Sequence, residues 1–241
     1  MRIPRIYHPD IIKVATTIIL SDAAAKHVNQ VLRLETGAQL TLFNGKGGEF
    51  SATIMQINKR SVEVLIGEYS PREVESPLQI HLAQAISRGE KMDFTIQKAV
   101  ELGVTQITPL LTERCAIKLT PDRWEKKHAH WQAVIISACE QSGRNSIPVI
   151  HPPIEISKWL GKDQSGLKCV LHPGASHSLS SLPKTNEVTL LVGSEGGLSE
   201  NELNSASSQQ FLPIAIGPRI LRTETAALAV ISVLQSCWGD F

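Results

Sequence analysis

The chain has 241 residues, 42% of them hydrophobic and 5% aromatic, with 24 Lys and Arg against 23 Asp and Glu. That is core material for one large or two modest globular domains, and it excludes a uniformly basic nucleic-acid coat or a broad base-stacking surface. The four cysteines stand far apart, the N-terminus has no apolar signal core, and no apolar run reaches membrane-spanning length. This favours a soluble cytoplasmic protein with reduced thiols over a disulfide scaffold, a metal site or a membrane anchor.

The slight basic excess lies in residues 1–150, and the sign reverses after them, so an RNA partner is permitted without being demanded. In chain order, residues 1–70 read as mostly β. Strands are expected at Ile18–Leu20, Leu40–Phe43, Phe50–Ile57 and Ser61–Ile66, with a hairpin turn at Asn44-Gly45-Lys46-Gly47-Gly48. One helix interrupts them, capped by Ser21 and carrying Ala24, Val28, Val31 and Leu32 at helical spacing. The result is a small β-barrel-like module with a basic helix from His27 to Arg33.

Residues 71–77 close a polar, proline-bracketed stretch that reads as the linker. From residue 78 strands and helices alternate, the pattern of an α/β domain with a parallel sheet. Strands are expected at Leu78–Ile86, Gln106–Leu111, near Val149, and at Leu167–Leu171, Val188–Val192 and Phe211–Ile216. Helices are expected at Lys91–Leu102, from Pro121 to about Ser142, and from Thr223 to about Ser236. Ser199-Glu200-Asn201-Glu202 is a capping box opening a further short helix. The last helix is apolar nearly all round, so it must be covered on several sides, by the sheet and by a second subunit. The His128, His130, Trp124 and Trp131 group reads as ordinary faces of the long helix.

Three strands near the C-terminus end in unusual turns: Leu171-His172-Pro173-Gly174, Gly193-Ser194-Glu195-Gly196-Gly197 and Ile216-Gly217-Pro218-Arg219. Ligands of open α/β sheets bind beyond the carboxyl ends of strands, and glycines let backbone amides approach them closely. The spacing excludes a phosphate-binding P-loop, a dinucleotide fingerprint and a hydrolase nucleophile elbow. What remains is an adenosine-type ligand without a phosphate cradle.

Gly193–Ser199 with Glu202, followed by Ile220-Leu221-Arg222-Thr223-Glu224-Thr225-Ala226, resembles the bacterial 16S ribosomal RNA uridine-N3 methyltransferase family of the SPOUT superfamily. Gln97–Val104, Pro109, Glu140-Gln141-Ser142, Arg144, Ile147-Pro148, His27, Val31–Arg33 and Phe43–Gly45 extend the likeness over nearly the whole chain. The resemblance implies a PUA-like RNA-binding domain at 1–70 and a SPOUT domain with a deep trefoil knot at 78–241. It also implies a homodimer acting on 16S rRNA in the small ribosomal subunit. S-adenosyl-L-methionine would be held by Leu171, His172, Gly193, Glu195, Gly196, Ile216, Gly217 and Leu221. Family members usually have Pro before Glu-Gly-Gly; Ser194 stands there, so a looser turn and weaker cofactor affinity are expected.

Methylation at uracil N3 needs loss of the N3 proton, and Arg222 is the candidate to stabilise the resulting anion. Which group takes the proton stays open between Glu195 and His172. The target base must be unpaired or flipped, so phosphate contacts are needed around it. Arg2, Arg5, His27, Arg33, Arg88, Lys91 and Arg144 are the candidates for those, Arg33 and Arg88 foremost. The alternatives are a SPOUT methyltransferase for transfer RNA or another ribosomal position, or a non-catalytic RNA-binding assembly protein.

Overall fold

The computed structural model describes residues 3–59, 61–115, 117, 119–179 and 182–241. Its contacts divide the chain into two units: Met1–Glu75 with Cys139–Ile147, and Ser76–Ala138 with Pro148–Phe241.

The first unit is a five-stranded sheet of β1 (Arg5–Tyr7), β2 (Thr17–Ile19), β3 (Gln39–Phe43), β4 (Glu49–Ile57) and β5 (Val62–Ser70), in the order β1-β3-β4-β5-β2. Alternation selects the buried face: Leu40 and Leu42, then Phe50, Ala52 and Ile54, then Val62, Val64 and Ile66. Helix α1 (Asp22–Lys26) starts where Ser21 Oγ accepts the Ala24 amide at 3.3 Å, and a wider π-turn, His27–Val31, continues it. Arg33 ends this run in the left-handed region at φ 52°, where L-residues other than Asn and Asp are uncommon. Strand β1 escapes the sequence reading because three residues between Pro4 and Pro9 show no period.

The sequence reading assigns 139–147 to the second domain, since it closes a continuous helical pattern. The structure groups it with the first unit, and the bonds explain why. Glu140 Oε1 accepts the Tyr7 amide at 3.0 Å, and Asn145 Nδ2 donates to Arg72 O at 2.7 Å. Gly143 O accepts from Arg72 Nη1 at 3.1 Å, and Ser146 bridges Gly45 and Lys46.

The second unit is built on parallel strands β6 (Gln79–Ala85), β7 (Gln106–Leu111), β8 (Val149–Ile150), β9 (Ile154–Glu155), β10 (Leu167–Leu171), β11 (His177–Ser178), β12 (Glu187–Val192) and β13 (Leu212–Ala215). Their order is β11-β13-β10-β12-β6-β7-β8, with β9 pairing β7. The helices that accompany them are α2 (Lys91–Glu101), α3 (Pro121–Ser142, its last residues in the first unit), α4 (Ile156–Leu160), α5 (Glu200–Ser208) and α6 (Thr223–Trp238). The apolar runs of β6 and β12 are buried on both faces, as central parallel strands require. The capping box of α5 forms: Ser199 Oγ accepts the Glu202 amide and Glu202 Oε2 accepts the Ser199 amide.

Helix α6 packs on α2 and buries Ala227, Val230, Ile231, Leu234 and Gln235. Gln235 is fully buried, accepting from Ser76 Oγ at 2.6 Å and donating to Leu102 O at 2.9 Å. Val233 of α6 and Phe94 of α2 remain exposed. Among the described residues no helix is long and apolar enough to cross a membrane.

Candidate active site

The sheet order makes β13, β10 and β12 neighbours, so their three C-terminal turns meet at one edge. They enclose a cavity of about 750 Å3, within the range of small-molecule sites. Leu171, His172, Gly193, Glu195, Gly196, Ile216, Gly217, Leu221 and Arg222 all line it, and Val192, Leu198, Leu203, Ile214 and Ala226 supply apolar wall.

Each turn is held by its own bonds. His172 N–H donates to Ile214 O at 3.0 Å, tying the end of β10 to β13, and Gly174 N–H donates to His172 Nδ1 at 3.2 Å. The second turn closes through Gly197 N–H to Ser194 O at 2.9 Å, with Gly197 at φ 72°. A β-carbon at Gly193 would lie 2.9 Å from the Gly197 carbonyl carbon, so only glycine closes this turn. Gly217, also at φ 72°, has nothing within 4 Å of a would-be β-carbon and leaves its side of the cavity open for a ligand. Ser194 thus sits in a turn held by hydrogen bonds. Its hydroxyl is buried and has no partner among the described residues.

Beneath the second turn lies a buried polar link that sequence reasoning missed. Thr223 Oγ1 donates to Gly193 O at 2.6 Å and accepts from Gln84 Nε2 at 3.0 Å, while Gln84 Nε2 also reaches Ala85 O at 3.0 Å. Gln84 is fully buried in β6. The available signal was one amide in the apolar run Leu82–Ile86, since a buried polar residue has a partner to find. Arg114 also lines the cavity, with Nη1 donating to Gly196 O at 2.7 Å.

The charged candidates separate into committed and uncommitted groups. Glu195 Oε1 accepts from Lys91 Nζ at 3.2 Å and from the Arg88 amide at 3.3 Å. Partial burial alone would raise the Glu195 carboxyl, but its own amide, the Lys91 ammonium and the Arg88 amide together hold it below the usual carboxylate range. Arg222 caps α6 through its backbone, and among the described residues its guanidinium makes no hydrogen bond or ion pair. The same holds for the side chains of Arg33 and Arg88, both exposed.

Two phosphate-contact candidates are corrected. Arg144 is 4% exposed and its guanidinium clasps Glu75 through Nε and Nη2. Arg5 lies over the Phe43 ring at 5.0 Å and bonds Glu49 and Asn145. Guanidiniums buried against carboxylates hold the first unit together and are not presented to a phosphate. His27 is half-buried in the first unit. Arg2 lies outside the described residues.

Known proteins resemble this chain over its full length. Residues 74–235 match the RNA methyltransferase domain family, and residues 20–67 match the RNA methyltransferase PUA domain. Ribosomal RNA small subunit methyltransferase E of Buchnera aphidicola (subsp. Schizaphis graminum) is 43% identical over 241 residues, covering 99% of this chain and 98% of that protein. The Bacillus subtilis protein of the same name is 30% identical over 234 residues, covering 93% and 91%. Among solved structures, a ribosomal RNA small subunit methyltransferase E from Neisseria gonorrhoeae bound to S-adenosyl methionine superposes with a TM-score of 0.93 at 41% identity, covering all of both chains. A Legionella pneumophila structure with the bound cofactor SAM superposes at 0.98 with 45% identity, again over both full chains.

Proposed function

Because the chain belongs to the RNA methyltransferase family, we propose that it transfers the methyl group of S-adenosylmethionine to N3 of a uridine in the 16S rRNA of the small ribosomal subunit. The observation that carries this reading is the meeting of three glycine-bearing turns around one cavity, with Arg222, whose guanidinium has no partner among the described residues, on its wall. The cavity fits such a cofactor: it has room for a nucleoside, apolar wall for the adenine, and backbone left bare by Gly193, Gly196 and Gly217.

When bound, the cofactor supplies a methyl group on a sulfonium that leaves as a neutral thioether. The residues do the rest. The three turns orient the ligand against the acceptor, the main requirement of an in-line transfer. Arg222 faces the charge that develops on the uracil oxygens as the N3 proton is lost, and the N-terminus of α6 adds a favourable dipole. Glu195, held ionised by Lys91, fastens the turn to the start of α2 and is a weak base. His172 Nδ1 accepts the Gly174 amide, which fixes the ring within its own turn.

His27 and Arg33 of the PUA-like unit and Arg88 of the catalytic unit contact RNA phosphates. The enzyme acts in the cytoplasm as a homodimer through α6 and α2, a reading supported by exposed Val233 and Phe94. The catalytic unit carries the trefoil knot of its superfamily. The test is methyl transfer from labelled S-adenosylmethionine to small subunits lacking the modification, followed by nucleoside analysis. Label in N3-methyluridine supports the reading. Label in another nucleoside overturns the substrate, and no label without cofactor binding overturns the reaction.

A further inference from the structure

Arg114 follows β7, and three contacts of Arg114 and its neighbour Glu113 place it. The amide of its neighbour Glu113 donates to Glu202 Oε1 at 2.8 Å. Glu202 is 5% exposed and its other oxygen takes the Ser199 amide at 2.8 Å, so this anchor is buried and bonded at both oxygens. The aliphatic stem of Arg114 lies over Gly196: a β-carbon added there would sit 3.2 Å from Arg114 Cβ. The third contact is Nη1 to Gly196 O at 2.7 Å.

A guanidinium has five N–H donors in a fixed plane. One is used here, and among the described residues the others have no partner, although the side chain lines the cavity. Lys91, also on the cavity wall, is neutralised by Glu195. Among the described residues the side chains of Arg219 and Arg222 have no partner, and neither makes a contact like that of Arg114 with Gly196 O. An exposed planar fork, tethered through one nitrogen with its stem against Gly196, and with donors that have no partner among the described residues, is suited to recognising an oxyanion.

We propose that Arg114 is a substrate-positioning contact that binds an oxyanion of the reactants at the cavity wall beside the Glu195–Gly197 turn. This rests on the reading of the site as that of a cofactor-dependent RNA methyltransferase. The oxyanion has two possible sources, the carboxylate of the cofactor's amino-acid part and a phosphate of the RNA, and the experiment separates them.

Full-length wild type, Arg114→Met (stem kept, donors removed) and Arg114→Lys (charge kept, fork removed) are titrated calorimetrically with S-adenosylhomocysteine and with 5′-methylthioadenosine, which lacks the amino-acid part. Methyl-transfer kinetics on unmodified small subunits and melting temperatures accompany the titrations. Losing a charge-assisted contact weakens binding roughly tenfold to a hundredfold. If R114M weakens S-adenosylhomocysteine by that factor and leaves 5′-methylthioadenosine unchanged, the oxyanion is the carboxylate. If both nucleosides bind as in wild type while KM for the subunit rises by that factor at nearly unchanged kcat, it is an RNA phosphate. In either case R114K recovers part of the loss. Equal weakening of both nucleosides reduces Arg114 to a prop for the turn and overturns the proposal, as does an R114M protein that matches wild type throughout. Wild-type protein that binds neither nucleoside overturns the functional reading and this assignment with it.

Discussion

Replacing Thr223 by valine removes one hydroxyl, preserves the branched shape at the first turn of α6, and opens no cavity. Thr223 is 7% exposed, and its Oγ1 both donates to Gly193 O and accepts from Gln84 Nε2. In the variant, Gly193 O keeps only a long contact to Gln84 Nε2 at 3.4 Å, while that amide retains Ala85 O. One buried carbonyl is left poorly satisfied, which costs about 1–3 kcal/mol. For a chain of this size each kcal/mol lowers Tm by roughly 2–4 °C, so a fall of several degrees is expected in thermal melts. The carbonyl belongs to the cofactor turn, so S-adenosylhomocysteine titrated by calorimetry is expected to bind about tenfold more weakly. Thr223→Ser, which restores the hydroxyl, is expected to recover most of that affinity. A T223V protein that binds like wild type and melts at the same temperature would refute the claim that this link holds the turn in place.

Arg222→Met is expected to lower kcat by about a hundredfold with cofactor affinity nearly unchanged, the mark of a group that acts on transition-state charge; a loss confined to cofactor affinity counts against that role. Ser194→Ala removes a buried hydroxyl without a partner among the described residues and is expected to stabilise the free protein by about 1 kcal/mol in thermal melts. A drop in Tm would mean that the hydroxyl is satisfied in solution. Burial, and then the neighbouring His151, push His81 down to about 4, where its Nε2 pairs with Thr108 Oγ1 at 2.8 Å. Above its unfolded value near 6.5 the ring is neutral in both states. As pH falls towards 4 the unfolded chain takes up a proton that the native state resists, so up to about 3 kcal/mol of stability is lost across that window. Denaturant titrations of wild type and His81→Asn at pH 7 and pH 4.5 check this, since the variant should lose visibly less on acidification.

Features decided by near neighbours in the chain were legible from it. Ser199 and Glu202 cap α5 because the reciprocal bonds span three residues, and Pro121 opens α3 because its missing amide has no partner to lose. The alternation of Phe50, Ala52 and Ile54 marked the buried face of β4 directly. The glycine turns named the cavity wall because tight turns and close approach are local demands on the backbone. Short pieces such as β1, β11 and α4 passed unread, since two to five residues do not establish a period.

The charges behaved differently. Arg5, Arg33, Arg88, Lys91 and Arg144 look alike in the sequence, yet Arg144 closes on Glu75, 69 positions away, and Lys91 on Glu195, 104 away. Gln84 meets Thr223 across 139 positions, and Arg114 meets Gly196 across 82. From the sequence alone came the alternation of elements, the caps, the turns and the family likeness, because each rests on neighbouring residues or on a run of identities. Only the tertiary structure decided which cations face inward, which line the cavity, and that 139–147 joins the first unit. A long side chain's partner is chosen by where the sheet brings distant strands together, and no spacing along the chain encodes that meeting.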